Sequence, residues 1–330
     1  MKETEVIELF AWIDETTEII EGQLNESYLE SLSFSLEALF YGEIKISNSN
    51  DLLIGKVNEQ LEKIDIDNYS VESIRKSVQL ALIKGMKENT QHQHLMTPEG
   101  IAMFIGYLVG KLVEKKEGKL SLFDSASGTG NLLFVVMEQL KRDLDVFASE
   151  VDPTLLRLSL LNANLQKKEI EFFHQDSLRP LLLDPVDIVV ADLPVGYYPD
   201  DIQASNYELK NKDEHSYSHH LFIEQSLKYT KADGFLVFVI PDTLFSGDKS
   251  DELHKYIQKE AKIVGVLQLP DSAFTSKQQV KSILILQKKG KSDKVYKQPL
   301  LVQLPSLTDS DAMTDILNKI NEWFEESFYK

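Results

Sequence analysis

A short apolar run that leads into a turn of small residues is the feature that most constrains how this chain can fold. The run ends at Phe123, and the turn that follows is Asp124-Ser125-Ala126-Ser127-Gly128-Thr129-Gly130. Its two glycines allow the backbone to pass close to a ligand, where the Cβ atom of another residue would collide. An apolar, helix-like stretch then begins at Asn131-Leu132. This order of strand, glycine turn and helix predicts a doubly wound α/β fold that binds a nucleotide-like ligand.

The composition of the turn narrows the kind of ligand. The turn lacks both the third glycine of the dinucleotide fingerprint and the Gly-Lys-Ser/Thr of a phosphate-binding loop. These absences favour a neutral or cationic adenosyl ligand over NAD or ATP. A NAD-dependent oxidoreductase is a poor alternative, because a constellation of residues for hydride transfer is also missing.

An acidic residue follows the next predicted strand. Val146-Phe147-Ala148 reads as that strand, and Glu150 comes about twenty residues after the glycines. A carboxylate at this point can accept hydrogen bonds from ribose hydroxyls. The alternative is that Glu150 and Asp152 are ordinary acids near the start of a helix, where Pro153 suits the first turn.

The composition indicates an intracellular globular protein. The 330 residues suffice for one large and one smaller domain. We expect no signal peptide and no membrane-spanning segment, because no apolar run is long enough. The lack of cysteine excludes disulfides, thiolate metal sites and cysteine nucleophiles. The cytoplasm is therefore the expected location.

The charge balance limits how the chain can bind nucleic acid. There are 53 acidic against 35 basic residues, which gives a net charge of −18. Phosphate binding depends on basic patches, so we expect nucleic acid to bind weakly unless a local basic cleft or a partner assists.

The pattern of apolar residues divides the chain in two. Residues 1–90 show helical spacing throughout and predict a small helical domain, used for packing or homo-oligomerisation or, alternatively, for reading a substrate. Residues 91–330 alternate between strands and helices, which predicts a parallel, doubly wound sheet. The predicted strands lie near 120–123, 145–149, 170–173, 187–191, 235–240, 263–268 and 281–287, and the helices between them near 131–141, 154–165, 219–230 and 250–260.

A polar motif follows the fourth of these strands. The strand ends in Asp192-Leu193-Pro194-Val195-Gly196-Tyr197-Tyr198, and side chains at this edge face the mouth where such sheets bind ligands. With this motif the chain resembles the class I S-adenosylmethionine-dependent methyltransferases that methylate amino groups. It is most similar to the adenine-N6 DNA methylases and to the methylation subunit of type I restriction-modification systems.

The resemblance is collinear from about residue 90 to 290. It rests on several short motifs, which are Met96-Thr97-Pro98, Asp124 to Leu133, Glu150, Gln175-Asp176-Ser177-Leu178, Asp192-Leu193-Pro194, Leu221-Phe222-Ile223-Glu224, Ala232-Asp233-Gly234, Ile240-Pro241-Asp242 and Leu267-Gln268-Leu269-Pro270. It implies a Rossmann-like S-adenosylmethionine-dependent methyltransferase domain over residues 91–330. The cofactor-binding residues that it implies are Thr97, Asp124, Ser125, Ala126, Gly128, Gly130, Asn131, Leu132, Glu150, Val151, Asp176, Ser177 and Asp192.

The resemblance also implies the chemistry. Within the family the acidic or amide side chain and a backbone carbonyl hold the target amine, so that its lone pair points at the sulfonium methyl group. The catalytic candidates are Asp192, Pro194, Tyr197 and Tyr198. The motif departs from the family at Leu193, which replaces a proline, and at Val195, which replaces the aromatic residue that stacks on a flipped base. The two tyrosines are candidates for that stacking role, or else packing residues.

Several alternatives stay open at this stage. His215, His219 and His220 cluster before a helix, but methyl transfer needs no metal, and we expect none. Lys289, Lys291, Lys294 and Lys297 form either a modest basic strip or a solvated loop. No segment is large enough for target recognition, which suggests a specificity partner or a substrate other than duplex DNA. The acceptor is expected to be an adenine amine in nucleic acid, with a protein or small-molecule amine or amide, or a non-catalytic cofactor-binding protein, as alternatives.

Overall fold

The structure is a computed structural model that describes residues 2–45, 51–88, 96–274, 280–290 and 298–328. In these residues the helices are α1 (Lys2–Leu24), α2 (Tyr28–Tyr41), α3 (Asp51–Leu61), α4 (Val71–Glu88), α5 (Glu99–Val113), α6 (Asn131–Leu140), α7 (Pro153–Leu165), α8 (Asp201–Ala204), α9 (Ser218–Lys228), α10 (Ser250–Glu260) and α11 (Ser310–Trp323). The strands are β1 (Leu120–Asp124), β2 (Leu144–Glu150), β3 (Glu171–His174), β4 (Val186–Asp192), β5 (Thr230–Pro241), β6 (Ala261–Gln268), β7 (Lys281–Lys288) and β8 (Leu300–Gln303).

Packing divides the chain into two compact units. The helical unit contains Met1–Met96, Gly128–Asn131 and Glu150–His174. The sheet unit contains Thr97–Ser127, Leu132–Ser149 and Gln175–Lys330. The helical unit therefore includes α7 and β3, which come later in the chain than its first four helices.

The helical unit is held together by apolar side chains at helical spacing. Leucine, isoleucine and valine from α1, α2 and α4 form a core that also takes in Leu158, Leu161 and Leu165 of α7. A capping box opens α2, because the Ser27 hydroxyl accepts from the backbone N–H of Glu30 while the Glu30 carboxylate accepts from the backbone N–H of Ser27. This box satisfies backbone donors that a helix start otherwise leaves free.

The strand order places a topological switch point beside β1. The order in the sheet is β3-β2-β1-β4-β5-β7-β6-β8. β1 pairs in parallel with β2 on one side and with β4 on the other, and β4 pairs in parallel with β5. Such a reversal is where doubly wound sheets bind ligands, at the carboxyl ends of the strands. The predicted α/β fold with an N-terminal helical region is confirmed.

The expectation of a wholly parallel sheet is wrong at β7. This strand runs antiparallel to β5 and to β6. Gln268, the last residue of β6, pairs with Ser282, so the chain re-enters the sheet at the edge that it left. Antiparallel pairing needs no crossover to the opposite edge. The strand β8 was not predicted, because it is four residues long and its Leu301 is exposed.

We expect two helical glycines of the helical unit to respond in opposite ways to alanine. A Cβ atom on Gly85 would lie 2.6 Å from Cδ2 of Leu29 and 2.7 Å from Cδ1 of Tyr28, so Gly85→Ala should destabilise the protein by about 1–3 kcal/mol through overpacking. A Cβ atom on Gly55 meets nothing within 4 Å, so Gly55→Ala should stabilise by about 0.5–1 kcal/mol through helix propensity. Urea unfolding followed by circular dichroism measures both. A stabilising shift at Gly85 would contradict the packing there, and a destabilising shift at Gly55 would contradict its open surroundings.

Candidate active site

The glycine turn begins at an acid that is fixed by its own backbone. Asp124 ends β1, is buried, and its Oδ1 accepts a hydrogen bond from the backbone N–H of Ala126 at 3.1 Å. Gly128 and Gly130 have φ angles of +53° and +82°, which side chains with a Cβ atom rarely adopt. The following residues, Asn131 and Leu132, are buried at the start of α6. The turn thus adopts positive φ angles at the two positions where the sequence has glycine.

The Glu150 carboxylate organises the backbone at the end of β2. Its Oε2 accepts from the N–H of Gly128 at 2.8 Å. Its Oε1 accepts from the N–H groups of Val151 and Asp152, both at 2.9 Å. A carboxylate has about four acceptor positions, so three backbone bonds fix the group and leave it able to accept from a ligand. The Val151 side chain is 62% exposed beside it.

Asp176 is joined to the second tyrosine of the predicted catalytic motif. Its Oδ2 accepts from the Tyr198 hydroxyl at 2.5 Å, and its Oδ1 accepts from the backbone N–H of Leu178 at 2.9 Å. Burial, followed by the hydrogen bond to Asp176, raises the pKa of Tyr198 well above its usual value, so the hydroxyl keeps its proton and donates. Next to Asp176, the Ser177 hydroxyl donates to the carbonyl oxygen of Ser125 at 2.6 Å.

Asp192 is the last residue of β4, and two side chains hold its carboxylate. Thr97 is buried, and its hydroxyl donates to Asp192 Oδ2 at 3.0 Å. The ammonium group of Lys281, the first residue of β7, lies 2.5 Å from Asp192 Oδ1. The Lys281 and Asp192 side chains are 24% and 17% exposed, so this ion pair is largely removed from water. Lys281 was not predicted from the sequence; it stands at the start of a strand in which only the centre, residues 283–286, is apolar.

The motif after Asp192 leaves the sheet as a tied loop. Leu193 is buried, and its N–H donates to the carbonyl oxygen of Val239 at 3.1 Å, so its backbone is still tied to β5. Pro194 is exposed, and Val195 is 56% exposed. Gly196 has a φ of +119°, and its carbonyl oxygen accepts from the N–H of Ser218 at 2.9 Å.

The two tyrosines of the motif differ sharply in environment. Tyr198 is buried, and its N–H donates to the carbonyl oxygen of Ser216 at 2.8 Å. Tyr197 is 54% exposed and stacks on Tyr217, with ring centroids 5.0 Å apart and an interplanar angle of 21°. The hydroxyl of Tyr217 donates a hydrogen bond to Tyr197, and this bond together with burial raises the pKa of Tyr217 to about 12. Of the two motif tyrosines, Tyr197 has the surface for stacking, whereas Tyr198 holds Asp176.

A buried acid on α9 anchors the far part of this loop. Both oxygens of Glu224 accept backbone bonds, from the N–H of Glu208 at 3.0 Å and from the N–H of Leu209 at 2.8 Å. Lys228, one turn later, lies 2.9 Å from the same carboxylate. The anchoring role of Glu224 was missed from the sequence, although a lone acid within the apolar run Leu221-Phe222-Ile223 is a signal that a buried partner is required.

The histidine cluster separates into buried and exposed members. Burial lowers the pKa of His219 to about 3 and that of His220 to about 4, so both are neutral at physiological pH. His215 is exposed and pairs with Asp201 at 2.9 Å. Within the described ranges no group of three or more histidine, aspartate or glutamate residues is placed to hold a metal ion.

The predicted basic strip is described only at its first residue. The Lys289 ammonium group donates to the carbonyl oxygen of Gln258 at 2.6 Å. Lys291, Lys294 and Lys297 lie outside the described residues. Among the helices of the described chain, none combines the length and apolar character needed to cross a membrane.

Comparison with known proteins identifies relatives over the whole chain. The chain is 43% identical over 329 residues to the uncharacterised protein YtxK of Bacillus subtilis (strain 168), covering 99% of both. A crystal structure from Listeria monocytogenes, which carries the provisional name of a class I S-adenosylmethionine-dependent methyltransferase, matches with a TM-score of 0.91 and 41% identity over 97% of this chain and 99% of that one.

A more distant structure shares the fold. The methyltransferase subunit of a type I restriction-modification system from Streptococcus thermophilus matches with a TM-score of 0.67 and 15% identity, over 93% of this chain and 74% of that one.

Two family models divide the chain between them. The model of the YtxK N-terminal helical domain matches residues 7–86. The model of the N-6 DNA methylases matches residues 82–326, about three quarters of the chain and all the candidate site residues. The chain therefore belongs to the N-6 DNA methylase family.

Proposed function

We propose that the protein is an S-adenosylmethionine-dependent N-methyltransferase, with the exocyclic amine of adenine in nucleic acid, DNA first, as its acceptor. The observation that carries the proposal is the Asp192 carboxylate, held by Thr97 at the carboxyl end of β4 and followed by Pro194. This is the position and residue type that the N-6 DNA methylase family requires for holding an amine. The provisional name of the Listeria monocytogenes protein supports the choice of cofactor.

The residues present fit an adenosyl cofactor. Gly128 has a left-handed backbone conformation, and no atom lies within 4 Å of the position that a Cβ atom would take. Glu150 is fixed by three backbone bonds and keeps about one acceptor position for a ribose hydroxyl. Asp176 is an acceptor suited to the adenine amine. When bound, the cofactor supplies an electrophilic methyl group on a sulfonium.

The role of Asp192 is to orient the acceptor. A carboxylate oxygen that accepts an N–H bond from the acceptor amine aligns the nitrogen lone pair for attack, and this positioning is the main catalytic contribution. The Leu193 carbonyl oxygen is the second candidate acceptor, because its residue is still held by the sheet through the N–H bond to Val239. The proton that the amine loses can pass to Asp192 or to water.

We further propose that Tyr197 provides the stacking surface that the family places at the position of Val195. An adenine turned out of a duplex needs an apolar plane to replace its lost stacking. Tyr197 is exposed, and Tyr217 supports its ring from one side. Tyr198 contributes indirectly, through its hydrogen bond to Asp176.

The proposed assembly follows from charge and chain organisation. The net charge of −18 opposes strong unaided binding to nucleic acid, so a specificity partner is proposed. We propose that residues 1–90 form a helical domain that mediates assembly, with this partner or a second copy, and that residues 91–330 form the methyltransferase domain. The cytoplasmic location inferred from composition is likewise a proposal.

A second candidate function has one observation in its favour. Both oxygens of Asp192 are already engaged, by Thr97 and by Lys281. A carboxylate that is already paired with a lysine ammonium suits a cofactor-binding protein without catalysis, or an enzyme whose acceptor is a protein or small-molecule amine able to displace that ammonium. The transfer experiment below separates these possibilities.

The cofactor assignment predicts a loss of affinity in two variants. Removing a hydrogen-bonded carboxylate should cost about 1.5–3 kcal/mol, so Glu150→Ala should bind S-adenosylmethionine about 10- to 150-fold more weakly, and Asp124→Ala should also bind more weakly. Isothermal titration calorimetry measures both. Glu171→Ala, at an exposed acid of β3, is the control and should bind normally. Native affinity in both site variants would disprove the assignment.

The catalytic assignment predicts that Asp192→Ala loses methyl transfer. Removing one preorganised hydrogen-bonding group should lower the rate about 10²–10³-fold, whereas Asp192→Asn keeps an acceptor oxygen and should retain more activity. The measurement follows labelled methyl groups from the cofactor into DNA, RNA and protein from a cell extract. Label in nucleic acid that Asp192→Ala abolishes supports the proposal. Label in protein favours the alternative acceptor, and no label despite tight cofactor binding favours the non-catalytic function.

The stacking role predicts a selective effect at Tyr197. Base stacking on an aromatic residue contributes about 1–3 kcal/mol, so Tyr197→Ala should lower kcat/KM for the acceptor roughly 5- to 150-fold and leave cofactor affinity intact. Val195→Ala, at an equally exposed position of the same loop, should have little effect. Tyr198→Ala should also lower turnover, because it releases the loop from Asp176. Unchanged kcat/KM in Tyr197→Ala would exclude the stacking role.

A further inference from the structure

The Lys281 side chain reaches the candidate catalytic acid from a strand that the catalytic motif does not include. Lys281 begins β7 and pairs with Pro241, the last residue of β5. Its Nζ atom lies 2.5 Å from Asp192 Oδ1, which is short for a charge-assisted bond. Because Thr97 donates to Oδ2, each oxygen of the Asp192 carboxylate accepts a bond from another side chain of the protein.

An acceptor amine and the Lys281 ammonium group compete for the same carboxylate, because both donate N–H bonds to Asp192. The proposed function needs an amine nitrogen that donates one N–H to Asp192, and Lys281 already makes that bond. The Lys281 charge is also of the same sign as a sulfonium, so an ammonium left at this point would repel the methyl donor. Both effects oppose transfer for as long as Lys281 stays on Asp192.

We propose that Lys281 is an internal occupant of the acceptor-amine position on Asp192 and determines which acceptors can enter. An acceptor is methylated only after it displaces the lysine ammonium from the carboxylate. This inference rests on the proposed role of Asp192 in holding the acceptor. The competing explanation is that Lys281 positions Asp192 for catalysis. It predicts that removing the lysine ammonium lowers kcat.

The first test separates displacement from positioning. Lys281→Met removes the ammonium group and keeps most of the side-chain volume. With adenine-containing duplex DNA as the acceptor, KM should fall about two- to five-fold, the range expected for a partly exposed ion pair, and kcat should not fall. A lower kcat with unchanged KM, or no change in either, would overturn the proposal. Lys231→Met is the matched control, since Lys231 forms a similar pair with Asp187 at 2.8 Å, and its kinetics should equal those of the native enzyme.

The second test does not depend on the acceptor. The rate at which acetic anhydride acetylates Lys281, read by mass spectrometry, should rise about two- to five-fold in Asp192→Asn, because the charge that holds the ammonium is gone. Lys231 in the same sample is the internal control and should react equally in both proteins. An unchanged acetylation rate at Lys281 would disprove that its ammonium group is held on Asp192. If neither native enzyme nor Lys281→Met methylates the DNA while cofactor binds, the proposed acceptor fails, and the acetylation rate alone decides the role of Lys281.

Discussion

The parallel pairing of β1, β4 and β5 is the constraint on which the candidate site depends. Asp124 is in register with Val190, and Asp192 is in register with Val239. Because parallel strands end at the same edge, this register brings both acids to the carboxyl edge of the sheet. The antiparallel β7 then begins at that edge, which is how Lys281 comes to face Asp192. One mixed sheet thus supplies the acid and the base of the central ion pair.

Much of this arrangement could be predicted from the sequence because it is local. Apolar runs and their spacing predict the strand that ends at Asp192 and the helices Asn131–Leu140 and Ser250–Glu260. Local pattern does not determine pairing between distant segments. Lys281 lies 89 residues from Asp192, and Thr97 lies 95 residues from it, so neither contact has a signal in the local sequence. The direction of β7 was missed for a similar reason, since an apolar run of this length does not reveal its orientation.

The split between Tyr197 and Tyr198 shows a second limit of sequence-based analysis. Adjacent residues in an extended segment point to opposite sides, so one tyrosine of a pair can be buried while the other is exposed. Which of them is buried depends on the contact between Gly196–Tyr198 and Ser216–Ser218, and on the anchoring of the intervening loop by Glu224. The sequence offers both tyrosines as candidates, and only the folded structure shows that Tyr198 is buried while Tyr197 is exposed. The roles of the candidate residues in binding the cofactor stay predictions.

The hydrogen bond between Tyr198 and Asp176 joins two segments with different proposed tasks. Asp176 belongs to the proposed adenine-binding end, whereas the Tyr198 backbone is tied to Ser216 in the loop after the catalytic motif. Groups that share one hydrogen-bonded network do not respond independently to substitution. Energetic effects at Asp176 and Tyr198 are therefore non-additive, and a double-mutant cycle between them reports how strongly the two ends of the site are thermodynamically coupled.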